Sequence, residues 1–137
     1  LWFGRSYYAG EGADGFPGFG YFDASTRKFR LLVPKEIAGW SVSAMDVTPE
    51  AVWLSLRDRL EYGDGSGGLL RFDRRSETIR AVSSTDVPDL GLEFARIGNR
   101  LLLVTEVGIT SVEPGPITRY FVDQTTDGRL RIVEARK

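Results

Sequence analysis

The most informative pattern in this sequence is a pair of segments in which apolar residues follow one another without interruption. Residues 51–54 read Ala-Val-Trp-Leu, and residues 101–104 read Leu-Leu-Leu-Val. A strand with one face in water alternates apolar and polar residues, so these segments predict strands that are buried on both faces. No segment has a sustained apolar period of about 3.6 residues, and we therefore expect almost no helix.

The chain also repeats itself at a regular interval. Residues 18–23, 68–73 and 118–123 each end in aspartate, and each is followed by a short polar turn and another apolar segment. A fixed period of this length is typical of architectures in which one supersecondary unit recurs. The aspartates that mark the period are Asp23, Asp73 and Asp123.

The repeat divides the chain into units at residues 1–33, 40–82 and 90–134. Hairpin-length links predict antiparallel pairing, and burial of both strand faces requires sheets stacked on both sides. We therefore expect an all-β fold, a β-propeller segment of consecutive four-stranded antiparallel blades with the first blade incomplete. A β-sandwich or a curled sheet is the alternative. Eleven strands are predicted, near residues 1–4, 18–23, 29–33, 40–46, 51–56, 68–73, 79–82, 90–96, 101–105, 117–123 and 130–134.

Composition narrows the chemistry that this chain can perform. Its 137 residues carry 18 basic and 19 acidic side chains, a formal net charge of -1, so the charge balance does not predict a nucleic-acid partner. Histidine and cysteine are absent, which excludes thiolate nucleophiles and histidine-dependent dyads and triads from this chain. We predict no cofactor and no metal site. No apolar stretch approaches the roughly 20 residues of a membrane span.

The first two units share a tryptophan-containing strand that is followed by a glycine-rich approach to an aromatic residue and aspartate. These segments are residues 1–4 with 18–23, and residues 52–54 with 67–73. In this order they resemble the propeller repeats of two-component-regulator sensor proteins, and kelch-like and other propeller repeats look similar. The third copy departs from the pattern, since Leu103 replaces the tryptophan and Thr118 replaces the glycine. The resemblance implies the fold more than a role, and it favours a periplasmic or extracellular location.

Two loops between predicted strands are longer than a hairpin requires, at residues 5–17 and 57–66. Both contain Glu-x-x-Asp-Gly together with arginine and tyrosine. In a propeller such loops share a face with the connections between blades, and these side chains suit polar ligands through stacking and bidentate hydrogen bonds. No catalytic residue is predicted. The predicted ligand-binding residues are Arg5, Tyr7, Tyr8, Glu11, Asp14, Arg57, Arg59, Glu61, Tyr62 and Asp64.

These features also have a structural interpretation. An aspartate that ends a strand before a short turn accepts hydrogen bonds from backbone N–H groups two or three residues further on. We expect this role for the repeated aspartates, rather than a ring of carboxylates. Trp2 and Trp53 are expected to pack between blades. The two long loops are alternatively solvated segments whose glycines adopt positive φ.

The predicted function is a non-enzymatic ligand-sensing or protein-binding platform formed by part of a β-propeller. Two alternatives stay open. One is a fragment of a propeller enzyme, a lyase or hydrolase, whose catalytic residues lie in blades absent from this chain. The other is a carbohydrate-binding, lectin-like propeller. The expected ligand is a polar small molecule, a glycan or a peptide.

The predicted partner follows from the number of units. The chain opens at Leu1 as if in the middle of a strand, so we expect a piece of a longer protein. Fewer than three complete units do not close a ring, because closed propellers use about four to eight blades. We therefore expect the ring to be completed by the rest of the same propeller or by a second copy.

Overall fold

The architecture is all-β, as predicted. The computed structural model describes residues 1–5, 16–58 and 65–135. In these ranges the chain forms twelve strands and one 3-10 turn at Lys35–Ile37. The strands are β1 (Trp2–Gly4), β2 (Phe19–Asp23), β3 (Lys28–Leu32), β4 (Trp40–Val47), β5 (Ala51–Asp58), β6 (Ser66–Asp73), β7 (Ile79–Val82), β8 (Gly91–Ile97), β9 (Arg100–Thr105), β10 (Gly108–Glu113), β11 (Thr118–Gln124) and β12 (Leu130–Glu134).

The strands form three antiparallel sheets, and none of the sheets is closed. Sheet 1 has the order β1-β2-β3, sheet 2 has β4-β5-β6-β7, and sheet 3 has β8-β9-β10-β11-β12. Within each sheet, strands that are consecutive in sequence pair with one another, which is the arrangement that short links between antiparallel strands favour.

The middle sheet is buried on both of its faces. All six residues from Ala51 to Leu56 are buried, and because successive side chains in a strand point to opposite faces, they are shared between two cores. Val52, Leu54 and Leu56 pack toward sheet 1, whereas Trp53 packs toward sheet 3. The first core adds Phe19, Ile37, Val42, Leu70 and Phe72, and the second adds Leu69, Val87, Leu101, Leu103 and Val112.

Aromatic rings join sheet 1 to sheet 2. The Phe19 and Phe72 rings meet edge to face with centroids 5.5 Å apart, and Trp2 lies 6.0 Å from Phe72. The Arg74 guanidinium sits over the Trp2 ring at 5.3 Å. Aromatic pairs in these geometries contribute about 0.5–1.5 kcal/mol each beyond the area that they bury.

The third sheet differs from the predicted four-stranded unit because the sequence analysis missed β10. This strand pairs with β9 on one side and β11 on the other, so it occupies the place that β6 occupies in sheet 2. Glu113, and not Asp123, is therefore the acidic residue that ends the third strand of this sheet, as Asp73 does in sheet 2. Asp123 lies in the next strand and faces Arg131 of β12. The regular spacing of 50 residues therefore led to a wrong strand assignment for Asp123, which lies in the fourth strand of sheet 3 and not in the third.

Two glycines support this corrected alignment of sheets 2 and 3. A Cβ atom added to Gly68 would overlap the carbonyl oxygen of Val82 in the next strand, and one added to Gly108 would overlap the carbonyl oxygen of Tyr120. Both glycines lie where the third strand of a sheet passes closest to the fourth. Gly68 also has a positive φ of 79°, which a residue with a side chain rarely adopts.

We predict that Gly108→Ala lowers the free energy of unfolding by about 1–3 kcal/mol, because the added methyl group forces β10 away from β11. Gly68→Ala should lower it by at least as much. Urea unfolding followed by far-ultraviolet circular dichroism measures both effects. Gly65→Ala is the matched control, since its Cβ would meet atoms only at an ordinary 3.9 Å. A neutral Gly108→Ala would contradict the pairing of β10 with β11.

Candidate ligand-binding face

The two long loops leave the stack at one end, which we call the loop end. Here β1 and β5 finish, and β4 and β8 begin. The Arg5 N–H donates to the Gly18 carbonyl at 2.9 Å, and the Asp58 N–H donates to the Gly65 carbonyl at 2.8 Å. The strand ladders therefore continue to the base of each loop, so the described residues at these bases are held by backbone hydrogen bonds.

The connections between sheets each place one buried apolar residue in a core. Ile37 lies in the connection from β3 to β4, Val87 lies in the connection from β7 to β8, and both are almost fully buried in the cores. The Ser66 hydroxyl donates to the Val87 carbonyl at 2.7 Å and accepts from the Gly68 N–H at 3.0 Å. Ser66 thus ties the base of the second long loop to the connection that enters sheet 3.

Two of the ten predicted ligand-binding residues fall within the described ranges. The Arg5 carbonyl accepts a hydrogen bond from the Val42 N–H at 3.0 Å, which places the end of β1 beside the start of β4. Arg57 lies in β5, opposite Ser41 and Ser66. Both arginines are therefore at the loop end. Outside the described residues lie Tyr7, Tyr8, Glu11, Asp14, Arg59, Glu61, Tyr62 and Asp64, and the site remains a prediction.

At the opposite end of the stack, which we call the turn end, short turns follow β2 and β6. The aspartates that precede these turns, Asp23 and Asp73, accept hydrogen bonds from residues of the turns. Asp23 accepts hydrogen bonds from the Ser25 N–H at 2.9 Å and from the Ser25 hydroxyl at 2.6 Å. Asp73 accepts from the Ser76 N–H at 2.8 Å and from the Arg75 N–H at 3.1 Å. The structural interpretation of these two carboxylates is confirmed.

The same hydrogen bonds favour the charged form of both carboxylates. The Ser25 hydroxyl is the largest influence at Asp23, and the Ser76 N–H is the largest at Asp73. Together with the other hydrogen bonds of each turn, they lower the pKa of both carboxyls from 3.8 to about 2. A general acid needs a raised pKa, so these groups are unsuited to that role. Asp123 is held differently, since the Arg131 guanidinium donates to it at 2.6 Å and lowers its pKa.

Ion pairs between sheets are the polar feature that the sequence analysis missed. Arg96 of β8 donates to Asp46 of β4 at 2.6 Å and lies 3.5 Å from Glu113. The hydrogen bond to Asp46 raises the pKa of Arg96. Arg30 of β3 donates to Glu77 at 2.7 Å, joining sheets 1 and 2. The partners of these two pairs lie 50 and 47 residues apart in the sequence. Opposite charges separated by about one repeat length were therefore the sequence signal from which these pairs could have been predicted.

The described residues contain no group of three or more acidic side chains able to hold a metal ion. No helix within the described ranges is long and apolar enough to cross a membrane. Comparisons of the chain with protein-family profiles, curated proteins and solved structures find no match.

We predict that the protein loses stability in acid through Asp23 and Asp73. A carboxyl whose pKa is lower in the folded state stabilises the fold above its unfolded pKa, near 3.8, and this stabilisation is lost as the pH falls toward about 2. The urea concentration at the midpoint of unfolding should therefore decrease as the pH is lowered from about 4 to about 2.

Asp73→Asn tests the assignment, because the amide keeps one acceptor oxygen and removes the titrating group. Its urea midpoint should be lower than that of the wild type at pH 7 and should change less on acidification. Ser76→Ala keeps the carboxyl but removes a donor, and should also weaken the acid dependence. An unchanged acid dependence in both variants would show that the Asp73 turn is not responsible.

Proposed function

We propose that this chain is a segment of a β-propeller, with its three sheets as consecutive blades, and that it serves as a non-enzymatic ligand-sensing or protein-binding platform. The observation that carries the proposal is the face-to-face stacking of three antiparallel sheets, with the middle sheet buried on both sides. A propeller is the architecture in which antiparallel blades are buried on both faces without pairing edge to edge.

The position of the first strand in each complete sheet supports this arrangement. In sheets 2 and 3 the first strands are β4 and β8, and the Asp46–Arg96 pair joins them. In a propeller the first strands of successive blades lie side by side around the axis, while the last strands lie outside. The end of β1 also lies beside β4, through the hydrogen bond from Val42 to Arg5.

The chemistry of the chain supports binding more than catalysis. The sequence contains no histidine, the commonest general acid or base. At the turn end, the carboxylates of Asp23 and Asp73 accept hydrogen bonds from their own turns. The sequences of the two long loops contain arginine, tyrosine and carboxylate, which is a combination suited to a glycan, a peptide or another polar ligand.

A binding experiment tests the platform. We expect the wild-type chain to retain particular members of a glycan array or a peptide array, and Tyr8→Ala/Tyr62→Ala to weaken that retention at least about fivefold. Stacking on an aromatic ring contributes about 0.5–1.5 kcal/mol, and about 1.4 kcal/mol corresponds to tenfold in affinity. Arg75→Ala at the turn end is the control and should bind as the wild type does.

The outcomes separate the proposal from its alternatives. Retention confined to glycans would identify a lectin, and retention of peptides would identify a protein-binding platform. An absence of retention on both arrays would contradict the binding proposal. A panel of glycan lyase and hydrolase substrates tests the enzyme alternative. Cleavage by a longer form of the protein but not by this chain would support the hypothesis that the chain is a fragment of a propeller enzyme.

A further inference from the structure

The two interfaces between sheets in this chain are copies of one another. We call the face that a sheet turns toward the next sheet in sequence its forward face, and the opposite face its backward face. The forward face of sheet 1 presents Trp2, Phe19 and Leu32 to the first core. Strand pairing places Trp53, Leu69 and Val82 at the same positions on the forward face of sheet 2, and these three pack in the second core.

The backward faces repeat in the same way. Sheet 2 presents Val52, Leu54, Phe72 and Ile79 to sheet 1. Sheet 3 presents Leu101, Leu103, Val112 and Ile117 to sheet 2, and the pairing of its first two strands places Leu101 and Leu103 where sheet 2 has Val52 and Leu54. Each interface thus combines one forward face with one backward face. In neither interface do two faces of the same kind meet.

The backward face of sheet 1 carries the same apolar pattern but has no sheet against it. Through its pairing, β1 places Leu1 and Phe3 where sheet 2 has Val52 and Leu54. Phe22 and Phe29 stand where sheet 2 has Phe72 and Ile79. Their rings lie 4.8 Å apart, and the side chain of Phe29 is 73% exposed. An aromatic group exposed in this way is typical of an interaction surface.

The forward face of sheet 3 is the matching surface at the other end of the stack. Leu102, Ile109 and Tyr120 stand where sheet 2 has Trp53, Leu69 and Val82. The apolar surface continues onto β11 and β12 at Val122 and Ile132, which are 53% and 67% exposed. The two ends of the chain therefore present the two complementary halves of the interface that the chain already forms twice.

We propose that a second copy of this chain covers these faces, with the forward face of sheet 3 in one copy packed on the backward face of sheet 1 in the other. The proposal rests on the proposed propeller architecture. A head-to-tail contact forms a ring if its rotation closes and a filament if it does not. Two copies together have six sheets, twice the three of one chain. This number falls within the range of about four to eight blades in closed propellers.

Sedimentation of single variants and of their mixture tests the head-to-tail contact. The wild-type chain should sediment with twice the mass of one chain. Phe29→Asp places a charge on the backward face of sheet 1, and Ile109→Asp places one on the forward face of sheet 3. Each variant alone should be a monomer, because each lacks one half of the interface. An equimolar mixture should form a one-to-one dimer, because the two chains still have one intact face each.

Two controls test whether the loss of the dimer is specific to the two faces. Val107→Asp introduces the same charge at a half-exposed site in the turn between β9 and β10, and it should sediment as the wild type does. Circular dichroism verifies folding, and if Ile109→Asp is unfolded then Ile132→Asp, at a more exposed site of the same face, replaces it. A dimer of Ile109→Asp alone would mean that backward faces pair with each other, and would overturn the proposal.

A wild-type chain that remains monomeric at every concentration tested would also overturn the proposal, and would leave other repeats of a longer protein as the occupant of these faces. That result is distinct from a failure of the platform function. The array experiment reports on the loop end, and monomeric variants such as Phe29→Asp keep the loops unchanged. Loss of the dimer with retained array binding would reject the head-to-tail contact alone.

Discussion

The burial of β5 on both faces is the constraint on which the remaining structure depends. Six consecutive buried residues leave this strand no side that can face water, and full burial of a large apolar side chain contributes about 1.5–3 kcal/mol. An antiparallel sheet with a strand of this kind is stable only between two neighbours. Sheet 1 and sheet 3 supply them, and the cores, the aromatic contacts and the ion pairs between sheets all follow from that stacking.

Much of this fold could be predicted because local signals and burial agree. The uninterrupted apolar residues around Trp53 predicted a strand buried on both faces, and β5 is buried in this way. The same prediction for the residues around Leu103 holds for one face only, since Leu101 and Leu103 are buried whereas Leu102 and Val104 are half-buried. Strand β10 was missed for a physical reason. Its residues include Thr110 and Ser111, and its link to β9 is too short to resemble the long loops of the first two units. The Pro-Gly-Pro sequence after Glu113 was the signal of a turn that could have located its end.

The candidate site could be predicted less completely than the fold. Loops that exceed hairpin length stand out in a regular repeat, and the structure places the described residues Arg5 and Arg57 of the predicted set at the bases of these loops. The pair Asp46–Arg96 was not predicted, since the two partners lie in different sheets and meet only after the sheets have stacked. Contacts between sheets depend on tertiary packing, which periodicity within one strand does not encode.

Glycines that contact neighbouring side chains have a consequence for how the stack assembles. Because β5 is apolar on both faces, hydrophobicity alone would tolerate a slip of one residue, which exchanges the faces of a strand. Gly91 leaves room only for Ser55 and Leu103, and Gly67 lies beneath the Trp40 ring. A slip of β8 by one residue would bring Leu90 or Leu92 into the space at Gly91. The alignment of the sheets is therefore specified in part by glycines at positions where no side chain fits. Inserting one residue into a strand should for this reason be more harmful than exchanging one apolar core residue for another.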